Sequence, residues 1–375
     1  MKMILHFLLF LWSIGTNMIR KIFPAYLAGF VPSAFHIGLV NTGYEIGKSL
    51  SLPCGFAADK MGKVRAIMIS FILISITAVL VSLTFEVLHF VVLFVIIGVV
   101  SNFFYTSLLA LISFQRRKTE SLFRMESFYQ FGFFLGPILG GLIVSFYSMT
   151  LALYTWAVLG IIGFVVSIFL SKMEVVKEEI KGFSGFFHQI KRGKSRFFVI
   201  LLVGTIFTGF FFSSINLVIP LYMVGLGMDI YHVGLVFGFG AIASSVGFYL
   251  LGKRFERFSK EKALVIIMLL TSFAFFAMNY AYEIITLSLI FALFAIGRGG
   301  GLNITRAFIS ENTSQEMRST GMAFVDTLHF GGGILGPVSA GLLIDLVSIQ
   351  SVFFLLLGIS ILGVLIVLIY SIWRR

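Results

Sequence analysis

Charge is scarce in this chain of 375 residues. Asp, Glu, Lys and Arg together make up 12%, against about 25% in an ordinary soluble chain. So few charged groups cannot cover a surface in water, which excludes a soluble enzyme, and 59% hydrophobic residues exclude intrinsic disorder. Cysteine is nearly absent: Cys54 alone excludes both a disulfide framework and a cysteine-ligated zinc site. The six histidines are dispersed, and neither a metal-spaced cluster nor a Ser/His/Asp constellation is found, which speaks against a membrane-embedded enzyme. No G-x-x-x-x-G-K-[ST] phosphate loop occurs.

What the chain has is apolar length, with a mean hydropathy of +1.04. A helix crosses the ~30 Å hydrocarbon layer in about 20 apolar residues. Apolar runs separated by charged or turn-rich breaks give twelve expected spans, at 3–28, 35–57, 66–84, 88–113, 122–146, 150–171, 197–225, 230–251, 262–281, 284–308, 319–344 and 351–372. The first run has no small-residue cleavage site and leads into an equally apolar second run, so it is read as a span rather than a signal. With the N-terminus placed in the cytoplasm, 24 of the 28 Lys and Arg fall in cytoplasmic segments, Arg306 among them. None falls in an outer loop, and Arg20, Lys21, Lys48 and Arg298 lie inside spans. Outer loops carry Glu86, Asp229, Glu283 and Asp345 instead. This is the positive-inside pattern, and it places both termini on the cytoplasmic side of the cell membrane. It also accounts for the net charge of +12 through the inner lipid surface, so no nucleic-acid partner is expected.

The longest polar break, 172–196, separates six spans (1–171) from six (197–375). The halves repeat. PAYLAGFVPSAFHIGLV (24–40) matches PLYMVGLGMDIYHVGLV (220–236) at seven of 17 positions. GFAADKMGK (55–63) parallels GKRFERFSK (252–260), and GFFLGPILGG (132–141) parallels GGILGPVSAG (332–341). The offsets are 196, 197 and 200. Parallel six-span repeats are a known transporter plan.

On these residues the chain resembles the major facilitator superfamily over essentially its whole length. GFAADKMGK is similar to that family's first signature, G-x-x-x-D-[RK]-x-G-[RK], with a degenerate copy after span 8. The Gly132, Gly136, Pro137, Gly140, Gly141 pattern in span 5 resembles the signature of its antiporters. The resemblance implies an all-α fold of twelve spans in two pseudo-symmetric bundles that alternate access to a site lined by spans 1, 4, 7 and 10. It implies no cofactor beyond an ion gradient, with protons expected. Two departures stand out: Phe94 occupies the place of the span-4 signature's Arg, and the acids of spans 1 and 4 found in several proton-coupled members are missing.

The signature residues Gly55, Asp59, Lys60, Gly62 and Lys63, with Glu126, Glu256, Arg257 and Asp326, are implied to form a cytoplasmic latch; an interfacial charge cluster is the alternative. Gly132, Gly136, Pro137, Gly140, Gly141, Gly336 and Pro337 permit close approach and bending between the halves, or packing alone. His36 and His232 lie at outer helix ends, where symmetry favours capping.

Charge within hydrocarbon costs about 2.5–3.5 kcal/mol per group on the lenient scale, so such groups face cavities and find partners. Counted at 1.5 Å per residue from the outer ends of their spans, Arg20 and Glu45 both lie about 13–15 Å deep. They can therefore meet. Asn17 shares a helix face with Arg20, and Asn41 and Lys48 share one with Glu45. None of these charges is repeated: Arg20, Glu45 and Lys48 correspond to Asn216, Ala241 and Ser244. Arg298 opens an Arg-Gly-Gly-Gly run in span 10 and is expected to face Arg20. Asn102, Tyr105, Ser213 and Asn216 are further lining candidates, whereas Lys21 points about 100° from Arg20 and is expected to support a neighbouring helix. Two cargo classes remain open: amphipathic compounds exported against protons, with Glu45 alternating between protonated and Arg-paired forms, or a small anionic solute moved by uniport or symport. A sensor or scaffold of the same fold that does not transport is the third reading. A monomer in the lipid bilayer with a small-molecule substrate is expected.

Overall fold

The computed structural model describes residues 2–113, 118–172, 194–255, 258–312 and 318–373. Within them all regular structure is helical. In hydrocarbon every backbone N–H and C=O must be satisfied inside its own segment, and helices do this. In chain order the helices are α1 (Lys2–Arg20), α2 (Phe23–Leu27), α3 (Ala34–Ser49), α4 (Ser51–Met61), α5 (Lys63–Ser82), α6 (Val87–Ser113), α7 (Lys118–Phe146) and α8 (Met149–Ile168). The second half holds α9 (Lys194–Leu201), a π-helical turn Leu202–Phe207, α10 (Thr208–Gly225), α11 (Ile230–Phe255), α12 (Lys260–Met278), α13 (Ile284–Asn312), α14 (Arg318–Leu346) and α15 (Ile349–Trp373).

By length and composition, 11 stretches of the described residues can cross a membrane. Of the twelve expected spans, 35–57 is the one not among them, because it is divided into α3 and α4 at Leu50. Pro53 explains the division, since its ring clashes with the carbonyl four residues back, that of Ser49. Pro24 divides α1 from α2 in the same way, at the carbonyl of Arg20.

The outward faces are apolar. Ile69, Ile72, Leu73, Ile76, Val79 and Leu80 form an exposed stripe along α5, while its opposite face buries Ile67, Phe71, Ile74 and Ala78. A helix hydrophobic on both faces belongs in lipid. In the first half α1 packs on α6, α7 and α8, and α3 on α6; in the second α10 packs on α14, and α12 on α13 and α15.

The halves meet along two helix pairs, α3 with α14 and α7 with α11. These interfaces repeat one another at their closest backbone contact. A Cβ on Gly38 would collide with the carbonyl oxygen of Pro337, and one on Gly234 with that of Pro137. Glycine is what lets each pair of backbones touch. At the helix ends, Asp345 accepts hydrogen bonds from the backbone N–H groups of Ala34 (2.8 Å) and Phe35 (3.0 Å) and from Ser33 Oγ (2.6 Å). Ser145, the counterpart of Asp345, accepts one from the N–H of Tyr231 (3.0 Å), the counterpart of Phe35. This region is called the Asp345 end below, and the opposite one the Lys60 end.

Candidate functional site

The two proline-set breaks create the site. Each leaves a helix C-terminus inside a span, and each terminus carries a cation in its last turn: Arg20 on α1 and Lys48 on α3. Unsatisfied carbonyls give a helix C-terminus partial negative charge, which favours cations there. At the α3 break, Asn102 of α6 donates its amide to the carbonyls of Gly47 (2.9 Å) and Lys48 (3.0 Å). The contact is close because Gly47 and Gly98 bring the α3 and α6 backbones together.

The cations converge on a central cavity of about 160 Å³ whose lining comes from both halves. Arg20 Nη2 lies 3.2 Å from Glu45 Oε1, and the guanidinium sits 3.5 Å over the Tyr44 ring. Glu45 is 2% exposed, and among the described residues its other oxygen, Oε2, has no aligned hydrogen bond, although the Ser213 hydroxyl of the other half stands close by. That oxygen rests against Gly333 of α14, where a Cβ would approach it to 3.0 Å. Lys21 is fully buried. Its Nζ donates to Asn216 Oδ1 at 2.7 Å and lies 4.5–5.0 Å from the rings of Phe212, Phe133 and Phe237. Lys48 Nζ lies over Phe330 at 4.8 Å and Tyr105 at 5.6 Å. Toward the Lys60 end the lining includes Arg306 and Asp326, joined at 2.7 Å.

The sequence-derived residues therefore sort by position. Arg20, Lys48, Asn17 and Tyr105 line the cavity. Glu45 stands behind Arg20. Asn102 is spent on the α3 break, Asn216 on Lys21, and Ser213 on the carbonyl of Gly209 (3.0 Å). Asn41 Nδ2 is buried, has no hydrogen-bond partner among the described residues, and lies outside the lining. The side chains of Arg298, Asp59 and Glu126, and the residues Glu256 and Arg257, lie outside the described residues. Asp326, expected as a latch partner with substrate contact as the alternative, lines the cavity and pairs with Arg306 of α13. Gly62 turns the chain between α4 and α5 with φ +96°, and Lys60 is exposed. Gly132, Gly136 and Gly140 press α7 against Ser13, Ile14 and Met18 of α1, whereas Gly141 meets Tyr231 across the halves.

Lys21 was expected to support a neighbouring helix. It does hold α10, but it also lines the cavity. His329 was not singled out. It is buried in the lining, with Nδ1 3.3 Å from the Thr205 carbonyl. That carbonyl belongs to the π-helical turn, whose i→i+5 pattern disturbs the regular bonding of the turn. Pro24 and Pro53 were the readable signals for the breaks; no sequence pattern announces the π turn.

A sequence model described as Major Facilitator Superfamily matches residues 5–284 and 255–375. The chain belongs to the Major Facilitator Superfamily. The quinolone resistance protein NorA of Staphylococcus aureus is 25% identical over 384 aligned positions, covering 98% of this chain and 95% of NorA. An uncharacterized MFS-type transporter of Methanocaldococcus jannaschii is 20% identical over 354 positions, covering 92% and 91%. Among solved structures, a mutant of the nucleoside transporter NupG superposes with a TM-score of 0.84 at 16% identity, covering 98% of each chain. A bacterial homologue of the human lysosomal transporter Spinster, inward-facing and unoccupied, gives 0.75 at 16% identity over 98% of this chain and 94% of that one. These two likenesses establish the fold. As a Major Facilitator Superfamily member this chain is a multi-pass membrane transporter of small molecules and not an enzyme.

Proposed function

We propose that this transporter exports amphipathic compounds from the cytoplasm in exchange for protons, with Glu45 as the proton carrier. In this reading the two halves, 1–171 and 197–375, rock about the central cavity, and the Lys60 end with both termini faces the cytoplasm. The observation that carries it is the setting of Glu45: buried, tied to Arg20 through one oxygen, and with the other, which has no aligned hydrogen bond among the described residues, set against Gly333 and Ser213 of the opposite half. Burial favours the neutral acid and the adjacent cation favours the carboxylate. Protonation then releases Arg20 from its partner, and deprotonation restores the pair. The group whose charge changes lies on the seam between the halves, so that change bears on how they pack. The aromatic rings of the lining suit an apolar cargo, and the likeness to NorA, a protein named for quinolone resistance, supports export.

The test is proton-driven uptake of an amphipathic dye into inverted membrane vesicles. Glu45→Gln should abolish the dependence on the pH gradient while leaving downhill dye movement. Unchanged coupling in that variant removes Glu45 from the mechanism.

A further inference from the structure

Lys48 is a cation of the cavity that the proposed cycle does not use. It is 8% exposed and lines the cavity, yet its ammonium forms no ion pair or hydrogen bond among the described residues. The helix-end carbonyls of Gly47 and Lys48 accept from Asn102. The described carboxylates of the site are engaged elsewhere, Glu45 by Arg20 at 3.2 Å and Asp326 by Arg306 at 2.7 Å. What Lys48 does have is two ring faces, Phe330 from one half and Tyr105 from the other. Ring faces attract a cation but supply no oxygen acceptor. A buried ammonium has three donors to satisfy, and a buried charge is retained where a partner compensates it.

We infer that Lys48 is the docking point for the carboxylate of the cargo, and that the transported compounds are aromatic acids whose flat apolar bodies lie against Tyr105 and Phe330. The inference rests on the cavity being the transport site and narrows its cargo. The carboxylate supplies the missing acceptor, and the rings already beside Lys48 cover the apolar part. A cationic amphiphile finds the opposite setting. Arg20, Lys21, Lys48 and Arg306 all border the cavity, and both described carboxylates are held by arginines. Because Tyr105 and Phe330 come from different halves, a cargo on Lys48 touches both and reports their relative position.

The experiment uses the full chain in lipid nanodiscs and three probes on one skeleton: cinnamate, cinnamamide and cinnamylammonium. Cinnamate should bind at least about tenfold more tightly than the amide, since only the acid offers a charged acceptor. The ammonium should bind most weakly. Lys48→Gln should erase the preference for the acid, and Lys48→Arg should keep it. Equal binding of acid and amide to the unaltered protein overturns the inference without any variant, as does a preference that survives Lys48→Gln, or failure of all three to bind. Counterflow in proteoliposomes separates the layers. Counterflow of the amide or the ammonium at the rate of the acid overturns the inference and keeps the transport reading. Loss of proton coupling in Glu45→Gln with the acid preference intact upholds it independently of the coupling.

Discussion

Replacing Asp345 with Ala should loosen the closed seam at the Asp345 end. Its carboxylate accepts three hydrogen bonds from the other half, two of them from the first N–H groups of α3. Those N–H groups have no partners inside their own helix, and the helix N-terminus favours negative charge. Sheltered hydrogen bonds to a charged group contribute about 1.5–3 kcal/mol each. This carboxylate is exposed, and exposed charges are worth far less, so roughly 1–2 kcal/mol for the three together is a sober figure. With tenfold per 1.4 kcal/mol, the equilibrium between this state and one open at the Asp345 end should move by about 5–30-fold. The assay is thiol labelling. With Cys54 changed to Ser, a cysteine replaces Ile37, which is 2% exposed beneath this seam, and reacts with a membrane-impermeant maleimide. Asp345→Ala should accelerate labelling by that factor. Ser145→Ala, which loses one neutral bond, should change it by no more than a few-fold. Labelling within twofold of the parent protein in Asp345→Ala, or a larger effect in Ser145→Ala, would refute the idea that this carboxylate holds the halves together.

Asn102→Ala strands the carbonyls of Gly47 and Lys48 and should cost about 1–3 kcal/mol of stability, read as a lower Tm in detergent, with weakened acid binding because Lys48 loses its station. Gly234→Ala places a methyl on the Pro137 carbonyl and Gly38→Ala one on that of Pro337. Each should destabilise by about 1–3 kcal/mol as overpacking and slow counterflow to a similar extent, because the contacts are equivalent. Lys21→Met removes the bond to Asn216 and should lower counterflow while leaving the Tm within a few degrees.

Most of the frame could be read from the sequence because it rests on local rules. Spans follow from apolar length, and the repeat follows from identities such as Pro24 with Pro220 and Gly38 with Gly234. The breaks in α1 and α3 were written in Pro24 and Pro53, yet a count of apolar residues passes over them because both runs stay long enough. The pairing of Arg20 with Glu45 was legible because depth along a helix is simple arithmetic. The role of Lys21 was not. The 100° rule gives its direction from the α1 axis, but α1 ends at Arg20, so Lys21 leaves the helical register before that rule applies.

The repeat also shows which parts of the molecule are frame and which are chemistry. Ser148 accepts the N–H of Leu151 and Ser348 that of Ser351, at the same offset of 200 that relates Ser145 to Asp345. The glycine contacts of α3 with α14 repeat in those of α11 with α7. Inside the cavity the correspondence fails. Arg20 faces a counterpart, Asn216, that has become the partner of Lys21, and Lys48 and Glu45 have the small counterparts Ser244 and Ala241, both buried. The two seams share the same glycine contact, whereas Arg20, Glu45 and Lys48 belong to the first half alone. In the proposed cycle, symmetry in the seams suits rocking, and its loss in the cavity gives cargo and proton one place to meet. A variant that moved the cluster across, Ala241→Glu with Glu45→Ala, should keep the fold and lose proton coupling, because Arg20 would no longer have its carboxylate within reach on α3.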